Sequence, residues 1–368
     1  MRLLVQPDDG TAPLLKGITA AKESIEVVIF RADQRELEQA LAKAVTRGIA
    51  VRALIAHTNR SAEEALRRLE MRLLAAGATV ARTADDLVRY HAKFMIIDHR
   101  ELYLLGFNFT SLDMDHSRSF GVVTRSRDLV REAVKLFEAD TSRQPYEPGS
   151  DRFVVSPMNA RKELFRFIKR AKKELLIYDL KLSDPDMIRL LQDRAKAGVA
   201  IKVIGRLTRK TEGVNVRKLA AIRLHARTMV RDRHAAFIGS QSLRELELDA
   251  RREVGIIFRD AKAVSRIVQT FEADWANASP AKEFETAEVQ KPAAKVARKV
   301  AKAVARELPP LAPALNGAVE QVVGKPKNGK LDIAEVEEAV KEAVKHAVKD
   351  AVRNVVEGVV EQKTERVE

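Results

Sequence analysis

Two histidines in this chain each stand two residues before a fixed cation: His91 precedes Lys93, and His225 precedes Arg227. In extended chain, side chains at i and i+2 share a face, so each segment presents one imidazole beside one positive charge. If the two faces meet, they form a site of two imidazoles and two cations, the groups needed for metal-free cleavage of a phosphodiester. One imidazole attacks phosphorus, the other protonates the leaving oxygen, and the cations offset charge on the non-bridging oxygens. Histidine suits both tasks because its ordinary pKa of about 6.5 lies near working pH. A lone histidine on an apolar strand is ordinarily a packed or surface residue. The matched pair is what points to chemistry, and His57, His99, His116, His234 and His346 have no such match.

The elements that must position these residues come from an internal repeat. FEAD occurs at 137–140 and again at 271–274, an offset of 134 that also carries His91 onto His225, Asp98 onto Asp232 and Gly121 onto Gly255. Upstream the offset is 150, placing Ala21-Lys22 on Ala171-Lys172 and Gly48 on Gly198, so the first half holds 16 extra residues before its histidine. The extra length is expected in a helix around SAEEALRRLEMRLLAAG.

Each half runs helix, apolar strand, helix ending in Gly48 or Gly198, then strand. A histidine-bearing strand (YHAKFMIID; LHARTMVRD), two further strands and a closing helix follow. The expected fold class is α/β with mostly parallel pairing. It comprises two repeated α/β halves related by a pseudo-twofold, residues 1–150 and 151–278, plus a helical low-complexity C-terminal tail, residues 279–368.

The chain has 368 residues, 46% of them hydrophobic, enough to build real cores and to exclude wholesale disorder. It has no cysteine, which excludes disulfides, thiolate metal sites and a cysteine nucleophile. Lys and Arg total 66 against 52 Asp and Glu, a net +14, of which the tail carries 16 − 15 = +1 and residues 1–278 carry +13. The basic excess fits an anionic partner such as phospholipid, nucleic acid or a phosphorylated metabolite.

Asp8 and Asp9 interrupt the N-terminus before a secretory signal forms, so a cytoplasmic protein is expected, peripheral to the inner face of an anionic membrane. In the tail, KVARKVAKAVAREL places Val300, Ala301, Val304, Ala305 and Leu308 on one face, as in a membrane-surface helix or a merely solvated one. Val336, Val340, Val344, Val348 and Val352 drift around a helix, which favours a low-complexity extension over self-association. NGKLDIAEVEEAV resembles half a calcium loop, but Gly324 and Pro326 occupy its first ligand positions, so calcium binding is not expected.

HAKFMIID, followed by LGFNFT, resembles the HxKxxxxD motif of the phospholipase D superfamily, and HARTMVRD, followed by GSQSLR, resembles its second copy. The resemblance covers about residues 5–275. It implies that His91 is the nucleophile that becomes phosphohistidine and His225 the general acid and later base, though the two roles are exchangeable. It implies phosphate binding by Lys93 and Arg227 and supporting roles for Asp98, Asn108, Asp232, Ser240, Ser242 and Glu253, with no metal and no cofactor.

Four departures stand out. Arg227 replaces the usual Lys, keeping the charge on a larger planar fork. Leu105-Gly106 stands where the family often has Gly-Ser, and Ser242 stands where the second Asn would be. Ser119 stands opposite Glu253 in the repeat. The activity implied is a phosphodiesterase or phosphatidyltransferase cleaving phospholipid headgroups by hydrolysis or by transfer to an alcohol, as in bacterial cardiolipin synthesis. The alternatives are a metal-independent nuclease of the same superfamily and a catalytically weak phosphate-binding scaffold.

Overall fold

A computed structural model of the chain describes residues 1–57 and 63–280. The tail patterns and the tail's self-association lie outside the described residues.

The first half runs β1 (Arg2–Gln6), α1 (Ala12–Ala20), β2 (Ser24–Ile29), α2 (Arg35–Thr46), β3 (Ala50–Ile55), α3 (Glu63–Ala75) and β4 (Thr79–Arg82). It continues through β5 (Arg89–Tyr90), β6 (Phe94–Ile97), β7 (Glu101–Leu105), α4 (Ser111–Asp115), β8 (Ser117–Thr124) and α5 (Arg127–Ser142). The second half opens with β9 (Phe153–Val155), α6 (Ala160–Lys169), β10 (Glu174–Leu182), α7 (Pro185–Lys196), β11 (Ala200–Leu207) and β12 (Val214–Lys218). Then come β13 (Arg223–Leu224), β14 (Thr228–Arg231), β15 (Ala235–Gly239), α8 (Glu245–Asp249), β16 (Arg251–Arg252), β17 (Val254–Phe258), α9 (Ala261–Asn277) and β18 (Ser279–Pro280). The helix α3 has no counterpart between β11 and β12 and accounts for the extra residues of the first half.

The two large sheets share one strand order. It is β1-β8-β7-β6-β2-β3-β4 in the first half, and β9-β17-β15-β14-β10-β11-β12 in the second, where β18 adds at the edge. The expected mostly parallel pairing is corrected here. Only β2-β3-β4 and β10-β11-β12 are parallel, and every other neighbouring pair in these paths is antiparallel. The reason lies in the connections: α2 and α3 cross over between β2, β3 and β4, α7 crosses over between β10 and β11, and residues 208–213 return the chain from β11 to β12, whereas β6 and β7 are joined by a tight hairpin, as are β14 and β15. Asp98 and His99, and likewise Asp232 and Arg233, sit at positive φ of 50–52°, which gives a turn whose twist matches the flanking strands. The motif strands also start later than expected, at Phe94 and Thr228, leaving each histidine in the extended link just before its strand.

Alternating side chains build three apolar layers. Val28, Phe94 and Ile96 from the first sheet join Leu176, Tyr178 and Val230 from the second in a central core, filled by α5 (Leu136, Phe137) and α9 (Ile267, Phe271). The opposite faces pack outward, Ile25, Val27 and Met95 against α1, α2 and α3 and Leu175, Ile177 and Met229 against α6 and α7. Gly48 and Gly198, at φ +84° and +88°, end α2 and α7 in the left-handed conformation that glycine adopts without cost.

The described residues form one unit, and within it the halves exchange short strands. Parallel pairing joins β5 to β16 and β13 to β8, so the segment leading into each histidine is held by the opposite half.

Candidate active site

The strand exchange fixes both histidines at the backbone. The His91 N–H donates to the Arg252 carbonyl at 2.8 Å, and the His225 N–H donates to the Arg118 carbonyl at 3.0 Å, two equivalent bonds under the repeat. The cations follow the same symmetry, because the Lys93 carbonyl accepts from Leu105 N–H at 3.0 Å and the Arg227 carbonyl from Gly239 N–H at 3.1 Å. The halves are in contact beside these bonds: a Cβ on Gly106 would lie 2.7 Å from the Phe120 carbonyl oxygen and 3.1 Å from that of Gly239.

His91, Lys93, His225 and Arg227 are 6%, 1%, 5% and 8% exposed, so their charges act on one another with little solvent between them. His91 Nδ1 lies 2.8 and 3.0 Å from the two carboxylate oxygens of Glu253, while its Nε2 is 2.7 Å from Lys93 Nζ. An ammonium only donates. Nε2 therefore accepts from Lys93 and Nδ1 carries the proton given to Glu253, a tautomer assigned from the hydrogen-bond pattern. The ring packs edge-on against Phe30, with centroids 4.6 Å apart.

Burial, then the charges of Lys93 and Arg227, hold His91 well below the ordinary histidine range. Burial likewise lowers Lys93, opposed first by Glu253, and raises Glu253, opposed first by Lys93. His225 is also held well below its usual range by burial, against the pull of Asp113 and with Arg227 adding to the lowering. Arg227 and Lys93 thus act on both imidazoles, which places all four groups in one electrostatic site.

The carboxylate beside His225 is Asp113, with Oδ2 3.3 Å from Nδ1. Each histidine therefore faces an acid from the other half, but the two acids are not repeat equivalents. Glu253 aligns with Ser119 and Asp113 aligns with Glu247. Asp113 Oδ2 also accepts from the backbone and side-chain amides of Asn108, both at 2.7 Å, and Oδ1 accepts from Arg223 at 2.8 Å. His225 and Arg223 hold the Asp113 carboxyl below its usual range despite its burial. Glu247 instead accepts from Ser242 N–H at 2.6 Å and from Arg244 and Arg251.

Several buried polar atoms here lack a protein partner: Arg227 Nε and Nη1, Asn108 Oδ1 and Ser242 Oγ. Unsatisfied guanidinium donors beside two imidazoles are what an anionic ligand would complete. Ser240 is buried at the start of the β15–α8 loop, where its hydroxyl accepts from Val254 N–H at 3.1 Å and donates to the Val254 carbonyl at 3.4 Å.

Asp98 and Asp232 are elsewhere. Each sits at the far end of its motif strand, and five residues of extended chain put Asp98 about 16 Å along from Lys93. Asp98 accepts from the backbone N–H groups of Lys22, Glu23 and Ser24, and Asp232 from those of Lys172, Lys173 and Glu174. They tie the hairpin to the start of β2 and β10. Among the described residues no cluster of three or more acidic or histidine side chains is arranged to hold a metal ion.

Sequence reasoning missed Asp113. A signal existed, since Asp113 and Glu247 are both acidic at the same offset of 134, each five residues after Asn108 or Ser242.

The family described as "Cardiolipin synthase, PLD-like domain" matches residues 14–141 and 164–275, one stretch in each half. The chain belongs to the phospholipase D superfamily. Among curated proteins, this phospholipase D-like chain is 26% identical over 291 residues to a polyphosphate kinase of Vibrio vulnificus, covering 71% of this chain and 41% of that one. It is 28% identical over 130 residues to the mitochondrial cardiolipin hydrolase of Danio rerio, covering 34% of this chain and 56% of that one. The chain thus spans about half the length of these relatives.

Two solved structures share the fold. One is phosphatidylserine synthase of Haemophilus influenzae, with TM-score 0.61, 11% identity and coverage of 83% of this chain and 94% of that one. The other is polyphosphate kinase of Porphyromonas gingivalis, with TM-score 0.63, 19% identity and coverage of 74% and 50%. No described helix of this phospholipase D-like protein is long and apolar enough to cross a membrane.

Proposed function

We propose that the protein cleaves phospholipid headgroups as a phospholipase D-type phosphodiesterase or phosphatidyltransferase, with His91 as the nucleophile. The observation that carries this reading is the Glu253–His91–Lys93 chain. It fixes the proton on Nδ1 and points the Nε2 lone pair toward a cation, where a phosphate would bind.

A phosphate entering between Lys93 and Arg227 satisfies the open guanidinium donors and draws Lys93 away from Nε2. Nε2 then attacks phosphorus and the P–O bond to the leaving group breaks. His225, charged once the anion and Asp113 offset its burial, passes its proton to the departing oxygen. In the second step neutral His225 takes a proton from water or an alcohol, whose oxygen attacks phosphorus while the P–N bond to His91 breaks. Lys93 and Arg227 meet the charge that develops on the non-bridging oxygens in both steps. The +13 charge of residues 1–278 suits approach to an anionic lipid surface. The matched family and the cardiolipin hydrolase relative favour lipid as the substrate class.

A second reading is phosphoryl transfer on a polyphosphate chain, favoured by the length of the match to the Vibrio vulnificus polyphosphate kinase. Purified protein is given labelled phosphatidylglycerol, cardiolipin, DNA, and polyphosphate with ADP in parallel, with EDTA present and with and without glycerol as acceptor. The expected result is headgroup release or exchange from lipid alone. Turnover confined to polyphosphate or to DNA would replace the lipid reading.

A further inference from the structure

The most exact piece of the sequence repeat, FEAD, ends in Asp140 in one half and Asp274 in the other. Neither forms a hydrogen bond or ion pair with a histidine among the described residues, yet both are buried and both hold an arginine of the opposite half. Asp140 Oδ1 accepts from Arg252 Nε at 3.1 Å and Nη2 at 3.0 Å, and Arg252 Nη1 donates to the Ser156 carbonyl at 3.2 Å. Asp274 accepts from Arg118 Nε at 2.8 Å and Nη2 at 3.2 Å, and Arg118 Nη1 donates to the Gln6 carbonyl at 2.9 Å. Arg118 and Arg252 are repeat equivalents, and so are Gln6 and Ser156 at the upstream offset of 150. The whole arrangement is therefore built twice.

These two arginines are also the residues whose carbonyls accept the His91 and His225 N–H groups. We propose that Asp140 and Asp274 are positioning residues for His91 and His225 respectively, each acting through an arginine that reaches across the pseudo-twofold. The physical need is clear from the strands involved. The segments entering the histidines, Arg89–Tyr90 and Arg223–Leu224, each pair over only two residues, too few to resist fraying on their own. A guanidinium locked by a buried carboxylate and a carbonyl fixes the backbone oxygen that each histidine amide uses. Removing the carboxylate leaves Arg252 a buried cation without its anion, leaves Arg118 only the 3.7 Å contact with exposed Asp8, and frees each backbone oxygen to move. A displacement of about 1 Å in a reacting group costs on the order of 100-fold in rate.

The test rests on the proposed roles of the two histidines, and it separates the clamps because those roles differ. In Asp140→Asn, amide exchange should speed by about tenfold or more across residues 88–91 and stay unchanged across 222–225, with the reverse in Asp274→Asn. An aryl phosphodiester releases a phenolate that needs no proton, whereas an alkyl diester needs His225 as acid. In single-turnover measurements of the first step, Asp274→Asn should therefore lose about 10- to 100-fold in cleavage of the alkyl diester and nearly nothing in the burst of phenolate from the aryl one, while Asp140→Asn loses on both. Arg252→Lys and Arg118→Lys keep the charge but not the two-pronged grip, and should reproduce the same reciprocal pattern more mildly. Exchange that is unchanged at the two segments, or raised evenly over the protein, overturns the proposal. So does an equal loss on both substrates in both Asp variants. If the unaltered protein cleaves neither diester, the phosphodiesterase reading falls, and the exchange pattern alone decides whether the clamps exist.

Discussion

Glu253 holds His91 Nδ1 with both carboxylate oxygens, at 2.8 and 3.0 Å, although 162 residues separate the two in sequence. The equivalent relationship in the other half is absent, because Ser119 stands at the position of Glu253 and His225 faces Asp113 at 3.3 Å. The two imidazoles therefore sit in different fields within a nearly symmetric frame. That difference suits one to attack and the other to exchange protons.

Glu253→Gln keeps the shape of the side chain and removes the anion that stabilises the Nδ1–H tautomer and the charge arising on His91. The expected result is a fall in kcat of about 10²–10⁴-fold with KM little changed. Steady-state kinetics on the true substrate checks it, and a kcat within a factor of about two of the unaltered enzyme contradicts the role given to Glu253.

Arg227 carries two buried N–H groups without a protein partner, so its function is read as waiting for an anion. Arg227→Lys should keep much of kcat/KM, because a positive charge remains, while Arg227→Gln should lose about 10²-fold or more. Equal activity in Arg227→Gln and the unaltered enzyme removes Arg227 from the site.

Asp98 and Asp232 give a stability prediction and not a catalytic one. Each carboxylate is held below its usual pKa: burial pushes it up, but the three backbone N–H bonds prevail. A depressed folded-state pKa means that this stabilisation is present above the unfolded value of about 4 and is lost as pH falls through the lower folded value. Asp98→Asn should lower stability at pH 7 by about 1 kcal/mol, the low end of the range because the group is partly solvated. Urea unfolding at pH 7 and pH 3 reads both effects. The deficit should shrink at pH 3, and activity per folded molecule should be unchanged. A loss of kcat at full folding would return Asp98 to the chemistry.

The sequence made the repeat, the matched His-x-cation pairs, the extra helix α3 and the glycines ending α2 and α7 legible, since each is local or periodic. Strand direction was not. Hydrophobic alternation is identical in parallel and antiparallel strands, and the hairpin at Asp98-His99 depends on positive φ at residues other than glycine. Asp113 was hidden for a different reason: the halves recruit acids from non-equivalent positions, so a search for repeated roles passes over it. FEAD was visible as a repeat, but its meaning was not, because Asp140 and Asp274 act on arginines 112 and 156 residues away. Such partners become evident only once the halves are brought together.

A covalent bond between phosphorus and His91 is the step on which the mechanism turns. The His225→Ala protein is mixed with a labelled phosphodiester substrate and quenched in denaturant at alkaline pH, which preserves a phosphoramidate. The digest is then mapped by mass spectrometry. The expected result is the substrate's phosphoryl or phosphatidyl group on His91, none on any residue of His91→Ala, and no multiple turnover by either variant. Label on His225 in the His91→Ala protein would exchange the two roles. Absence of label on both, with either single variant still turning over at near-normal rates, would contradict the two-histidine mechanism itself.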